Sequence, residues 1–100
     1  MPVPERLLIL GGTAEAVALA VAADEAGFMV TSSLAGRTNG GTALPGQVRV
    51  GGFGGLEGFL AYLRAESFAA VIDATHPFAA TISAHARLAC DLLALPRLSV

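Results

Sequence analysis

The chain has 100 residues, room for one small domain, with a net charge of −2 and 54% apolar residues. That balance leaves no basic face for nucleic acid, and no apolar run approaches the roughly 18 residues that would cross a bilayer. A single cysteine, Cys90, excludes an internal disulfide and fits a reducing compartment.

Arg6 to Leu10 (RLLIL) is an unbroken apolar run, the pattern of a strand buried on both faces. Gly11, Gly12 and Thr13 break it. From Ala14 the apolar residues at 14, 17, 18, 21 and 22 form a helical stripe that Gly27 stops. Phe28 to Ser33 (FMVTSS) reads as a second strand, followed by a loop rich in Gly, Thr, Asn and Pro from Leu34 to Gly46. Gln47 to Val50 is a short third strand ended by GGFGG at 51–55. Leu56, Phe59, Leu60 and Leu63 then mark one face of a second helix that reaches Arg64. Phe68 to Asp73 (FAAVID) is a fourth strand. Pro77 suits the first turn of a third helix, where its missing N–H costs nothing, and Phe78, Ile82, Ala86, Ala89 and Leu93 give that helix its apolar face. Cys90 falls among alanines and leucines and reads as a packed thiol. Arg97 to Val100 opens a fifth strand.

Strand and helix alternate throughout, which predicts an α/β fold with a parallel sheet covered on both faces. Right-handed crossovers favour a doubly wound, Rossmann-like sheet of order 3-2-1-4-5. An apolar fifth strand ending at Val100 leaves an uncovered edge, so the expectation is a fragment of something longer.

In that order strands 1 and 4 are neighbours and the strand order reverses between them, the place where open α/β sheets bind ligands. The expected site therefore joins GGT at 11–13 to the loop ATHPFA at 74–79, some sixty residues away in sequence. Gly11 and Gly12 allow a sharp turn and a close approach to a phosphate, and Thr13 can cap the following helix or bond a phosphate oxygen. A plain strand-to-helix turn accounts for GGTAEA equally well, and Glu15 would repel a phosphate set directly against it. The end of the second strand carries Thr31, Ser32 and Ser33, with Arg37 beyond, where an NAD-selective fold would place an acid. Hydroxyls and an arginine suit a 2′-phosphate, so NADP is the favoured dinucleotide; Arg37 as a solvated loop residue is the alternative. Phe53 in GGFGG either shields a flat ring or folds into the core. Thr75 and His76 either line the cleft or cap the helix at Pro77, with Asp73 bonding loop amides. His85 is expected on the surface or partly packed. Neither histidine has a Cys or third His at ligand spacing, so no metal site is expected. A generic short-chain oxidoreductase is disfavoured, because the chain contains no lysine to complete a Tyr-x-x-x-Lys pair.

ILGGTAEA, SLAGRT, VRVGGFGGLEGF, YLR and VIDATHPFAATISAHA, in this order and spacing, resemble the N-terminal half of the precorrin-6A reductase family from Ile9 to Ala94. The resemblance implies a cytoplasmic, NADPH-dependent reduction of one double bond in the precorrin-6A macrocycle, giving precorrin-6B in cobalamin biosynthesis. A cobalt-bearing macrocycle is the substrate in the anaerobic branch. It implies that residues 1–100 are the NADP-binding domain, and that members are twice this length with the tetrapyrrole held between two halves. By motif, Gly11, Gly12 and Thr13 would hold the cofactor phosphates. Ser32, Ser33 and Arg37 would surround the 2′-phosphate, and Thr75 would lie beside the cofactor. His76, Pro77 and Phe78 would face the substrate, and His76 is the candidate proton donor. Val17 stands where the family pattern often has arginine, and His85 where asparagine is common. The rival reading is a nucleotide-binding α/β module without catalysis.

Overall fold

The computed structural model describes residues 4–36, 43–76 and 79–100. Strand β1 (Arg6–Leu10) leads through helix α1 (Ala14–Glu25) to β2 (Met29–Leu34). A connection runs on to β3 (Gln47–Val50), then α2 (Gly55–Glu66), β4 (Ala70–Asp73), α3 (Ala80–Leu93) and β5 (Arg97–Ser99). All four strand pairings are parallel and the order is β3-β2-β1-β4-β5, as the alternation of elements predicts.

The lack of alternation in β1 has its cause in two cores, one on each face of the sheet. Leu8 and Leu10 pack with Phe59 and Leu63 of α2, Val71 of β4, and Ala86, Ala89 and Cys90 of α3. Leu7 and Ile9 point the other way, onto Ala16 and Ala20 of α1 with Val30 and Ile72 beside them. Successive side chains alternate between faces, so a central strand covered twice must be apolar at every position. Phe59 is 0% exposed and anchors the two-helix side. Cys90 is buried among its apolar neighbours, which pushes its thiol pKa up. At the far end of β1, Arg6 pairs with the Glu66 carboxylate at 3.1 Å, donates to the Glu66 carbonyl, and lies over the Phe68 ring.

Three boundaries and one helix face differ from expectation. Strand β2 is shifted one residue onward, and β4 begins at Ala70 while Phe68 packs in the core before it. Helix α3 begins at Ala80 rather than at Pro77; Pro77 and Phe78 lie outside the described residues. In α1 the stripe expected to face inward is turned mostly outward. Ala14, Ala18, Val21 and Ala22 are exposed, Val21 at 40%, whereas Ala16 and Ala20 are buried and Leu19 and Ala23 pack beside them. Ala, Val and Leu occupy all sides of this helix, so hydropathy supplies no contrast to choose a face. The choice falls to size, and alanines at 16 and 20 let the helix backbone come close to the sheet. Among the described residues, no helix is long and apolar enough to cross a membrane.

Candidate functional site

Four loops at the carboxyl ends of β1 to β4 meet over the point where the strand order reverses. They enclose a cleft of about 1020 Å³, lined by Gly11 to Ala14, Ser33 to Gly36, Gly51 to Gly55, Thr75, His76 and Ala79, and by α3 from Ala80 to Ile82 and at His85. A volume of this order accommodates an extended cofactor.

The floor is the turn between β1 and α1. Gly12 takes φ +110°, open to glycine and strained for other residues. Thr13 caps α1: its Oγ1 accepts from the Ala16 N–H at 3.1 Å and donates to the Ala74 carbonyl at 2.7 Å. The hydroxyl has one proton, and that proton goes to Ala74. An anion at this helix start would therefore be met by main-chain N–H groups at Ala14 and Glu15, aided by the helix dipole, and not by the Thr13 hydroxyl. The Glu15 side chain is exposed and absent from the cleft lining. The Thr13–Ala74 bond also ties the β1 loop to the β4 loop.

The β4 loop is organised by Asp73, which is nearly buried. Its Oδ1 accepts from the Thr75 N–H at 3.1 Å and from Thr75 Oγ1 at 2.6 Å, and Ser83 of α3 lies 3.2 Å from the Thr75 oxygen. Burial pushes the Asp73 carboxyl pKa up, but hydrogen bonds from Ser83 and Thr75, helped by the Arg97 charge, hold it below its ordinary value. With its proton on Asp73, Thr75 presents an acceptor oxygen to its surroundings. His76 is exposed at the cleft, and its carbonyl accepts from the Ala79 N–H at 2.9 Å. Neither Thr75 nor His76 caps α3, whose N-cap is Ala79 with no side-chain bond. His85, half-buried on α3, also lines the cleft, as does Val17 of α1.

At the end of β2 the two serines part company. Ser33 lines the cleft, whereas Ser32 faces the α1 side of the sheet, is 2% exposed, and among the described residues has no hydrogen-bond partner for its hydroxyl. Ser32 is thus buried beneath the cleft surface. Arg37 lies outside the described residues. Sequence reasoning passed over Arg49, which pairs with Ser33 in register. Its guanidinium donates to Ser33 Oγ at 3.0 Å and to the Gly51 and Gly52 carbonyls at 3.0 and 3.1 Å. It also lies 3.9 Å from the Phe53 ring centroid. An arginine placed two residues before a glycine run, opposite a serine in the neighbouring strand, was the available signal. Phe53 packs against Phe59 and Tyr62, as the core reading expects, and also lines the cleft. Among the described residues no group of His, Cys, Asp and Glu could hold a metal ion.

Comparison with known proteins gives consistent results. A family model described as precorrin-6x reductase CbiJ/CobK matches residues 6–100. A precorrin-6A reductase of Mycobacterium tuberculosis (strain CDC 1551 / Oshkosh) is 55% identical over 94 residues, covering 93% of this chain and 38% of that protein. One from Rhodobacter capsulatus is 53% identical over 85 residues, covering 85% of this chain and 34% of that protein. A solved structure of CobK precorrin-6A reductase superposes with a TM-score of 0.88 at 47% identity, covering 95% of this chain and 38% of that one. The chain thus spans little more than a third of the length of these relatives, which exceed twice its length.

Proposed function

The chain belongs to the precorrin-6x reductase CbiJ/CobK family, and from that membership we propose that it forms the nucleotide-binding part of an NADPH-dependent reductase. The reaction we assign is addition of a hydride and a proton across one double bond of the precorrin-6A macrocycle, giving precorrin-6B. The carrying observation is a cleft over the switch point whose described lining contains no carboxylate, with Ser33 where an NAD-selective site would carry an acid.

The residues fit a dinucleotide. The amides at the start of α1, reached over Gly11 and Gly12, would receive the pyrophosphate. Ser33, with Arg37 proposed from the sequence alone, would receive the 2′-phosphate. The Thr75 oxygen, fixed by Asp73, offers an acceptor on the β4 side of the cleft. Reduced nicotinamide, when bound, supplies the hydride. The chain's own part is to hold the ring in one orientation and to shed water from the apolar wall of Val17 and Ile82. His76, at the mouth, is assigned to the macrocycle, either delivering the proton or binding one of its carboxylates. In a full-length family member, His76→Ala separates the two. Lost turnover with unchanged substrate binding identifies the proton donor, and weakened binding with normal turnover the carboxylate contact.

The cofactor assignment is tested by fluorescence titration of this chain with NADPH and NADH. Tighter binding of NADPH, with the preference lost in Arg37→Ala, supports it. Equal affinities would remove the 2′-phosphate from the end of β2.

A further inference from the structure

We propose that Arg49 is a positioning residue that makes the end of β2 selective for a phosphorylated ribose, an inference that rests on the dinucleotide reading above. Four of the five groups its guanidinium touches, namely Ser33, Gly51, Gly52 and Phe53, line the cleft, so Arg49 stands directly behind the cleft wall.

Two consequences follow from the direction of these bonds. Arg49 donates to Ser33 Oγ, and a guanidinium can only donate. The serine's own proton must therefore point away from Arg49, which leaves Ser33 as a donor on the cleft side. A phosphate dianion accepts such a bond. The Gly51 and Gly52 carbonyl oxygens, which would repel a phosphate, are turned onto the guanidinium. Since a trans peptide sets N–H opposite C=O, the amides of Gly52 and Phe53 are directed away from Arg49. Neither donates to another main-chain carbonyl among the described residues.

Charge reinforces the geometry. Among the described residues no carboxylate lies within salt-bridge distance of Arg49, so its positive charge is left to act on the cleft. Three of its five N–H groups donate to Ser33 and to the Gly51 and Gly52 carbonyls, and the plane is held by the Phe53 and Tyr62 rings at 3.9 and 5.1 Å. Lysine could supply the charge but not the fork that engages a serine and two carbonyls together.

The test is the affinity ratio for NADPH over NADH, measured by fluorescence titration on this chain for wild type, Ser33→Ala, Arg49→Gln, Arg49→Lys and the Ser33→Ala/Arg49→Gln pair. Ser33→Ala and Arg49→Gln are each expected to weaken NADPH binding about tenfold, as loss of a charge-assisted hydrogen bond does, and to leave NADH within about twofold. The pair is expected to lose less than the product of the singles, because both act through one contact. Arg49→Lys is expected to fall between wild type and Arg49→Gln. A purely structural Arg49 would weaken both cofactors alike and leave the ratio unchanged, which overturns the proposal. If Arg49→Gln loses cooperative melting, Ser33→Ala carries the test, and an unchanged ratio there overturns it equally. A wild-type chain with no preference for NADPH overturns the cofactor reading and this inference together. A wild-type preference that survives in all variants overturns this inference alone.

Discussion

Asp73 combines burial, a short hydrogen bond and a lowered pKa in one side chain. Because its folded pKa lies below the ordinary carboxyl value of 3.8, the ionised form stabilises the fold fully above that value. That contribution is lost as the pH falls below 3.8 and through the folded pKa. Asp73→Asn keeps the shape and removes the charge, and is expected to cost about 1–3 kcal/mol at neutral pH. The gap from wild type should narrow by about pH 3; urea unfolding at the two pH values measures it. A gap independent of pH would show that packing, and not ionisation, accounts for the loss. At this scale the site was half legible. The place of Thr75 and His76 at the cleft and the bond from a loop amide to Asp73 could be read from the sequence, but Ser32 and Ser33 could not be told apart. Both faces of β2 are buried, so no polar–apolar alternation marks which serine faces the cleft. Arg49 escaped notice because its partners are main-chain carbonyls and a serine, which leave no charge pattern in a sequence.

Among the elements, α1 is the one whose face was misread, and its corrected orientation can be tested. Ala20 is fully buried against the sheet and Ala18 is exposed. Ala20→Leu is expected to destabilise by about 1–3 kcal/mol through overpacking, and Ala18→Leu to stay within about 0.5 kcal/mol, as read by thermal melting. The face predicted from hydropathy requires the reverse order. Helix α2 was legible, because Leu56, Phe59, Leu60 and Leu63 stand out against Glu57, Arg64 and Glu66. Its first turn holds a tighter constraint at Gly58, where an added Cβ would stand 1.7 Å from the Phe53 carbonyl oxygen. Alanine would gain about 1 kcal/mol in helix propensity, yet a main-chain clash at that distance outweighs it. Gly58→Ala is expected to lose about 1–3 kcal/mol net, and to disturb Phe53 at the cleft, visible as weaker ligand binding. A stabilised variant would mean that the GGFGG turn yields freely.

For the molecule as a whole, the topology was legible because a parallel sheet of this size has few right-handed solutions once its elements are counted. Its stability is concentrated in the core rather than along the sheet edge. Phe59→Ala is expected to cost about 3–5 kcal/mol, a large fraction of the roughly 5–15 kcal/mol that a domain commands. Leu98, 63% exposed on β5, should lose no more than about 0.5 kcal/mol as alanine. Urea midpoints at unchanged slope distinguish the two; comparable losses would mean that β5 is buried in solution. The hydrogen bond from Thr13 to Ala74 spans 61 residues of chain. During synthesis at about 5–20 residues per second, the glycine turn therefore waits on the order of 3–12 s for its partner to be made. Once β2 has been made β1 can pair with it, but β1 has no partner on its other side until β4 follows. A nascent chain halted before β4 leaves β1 without its second neighbour and the cleft without one wall.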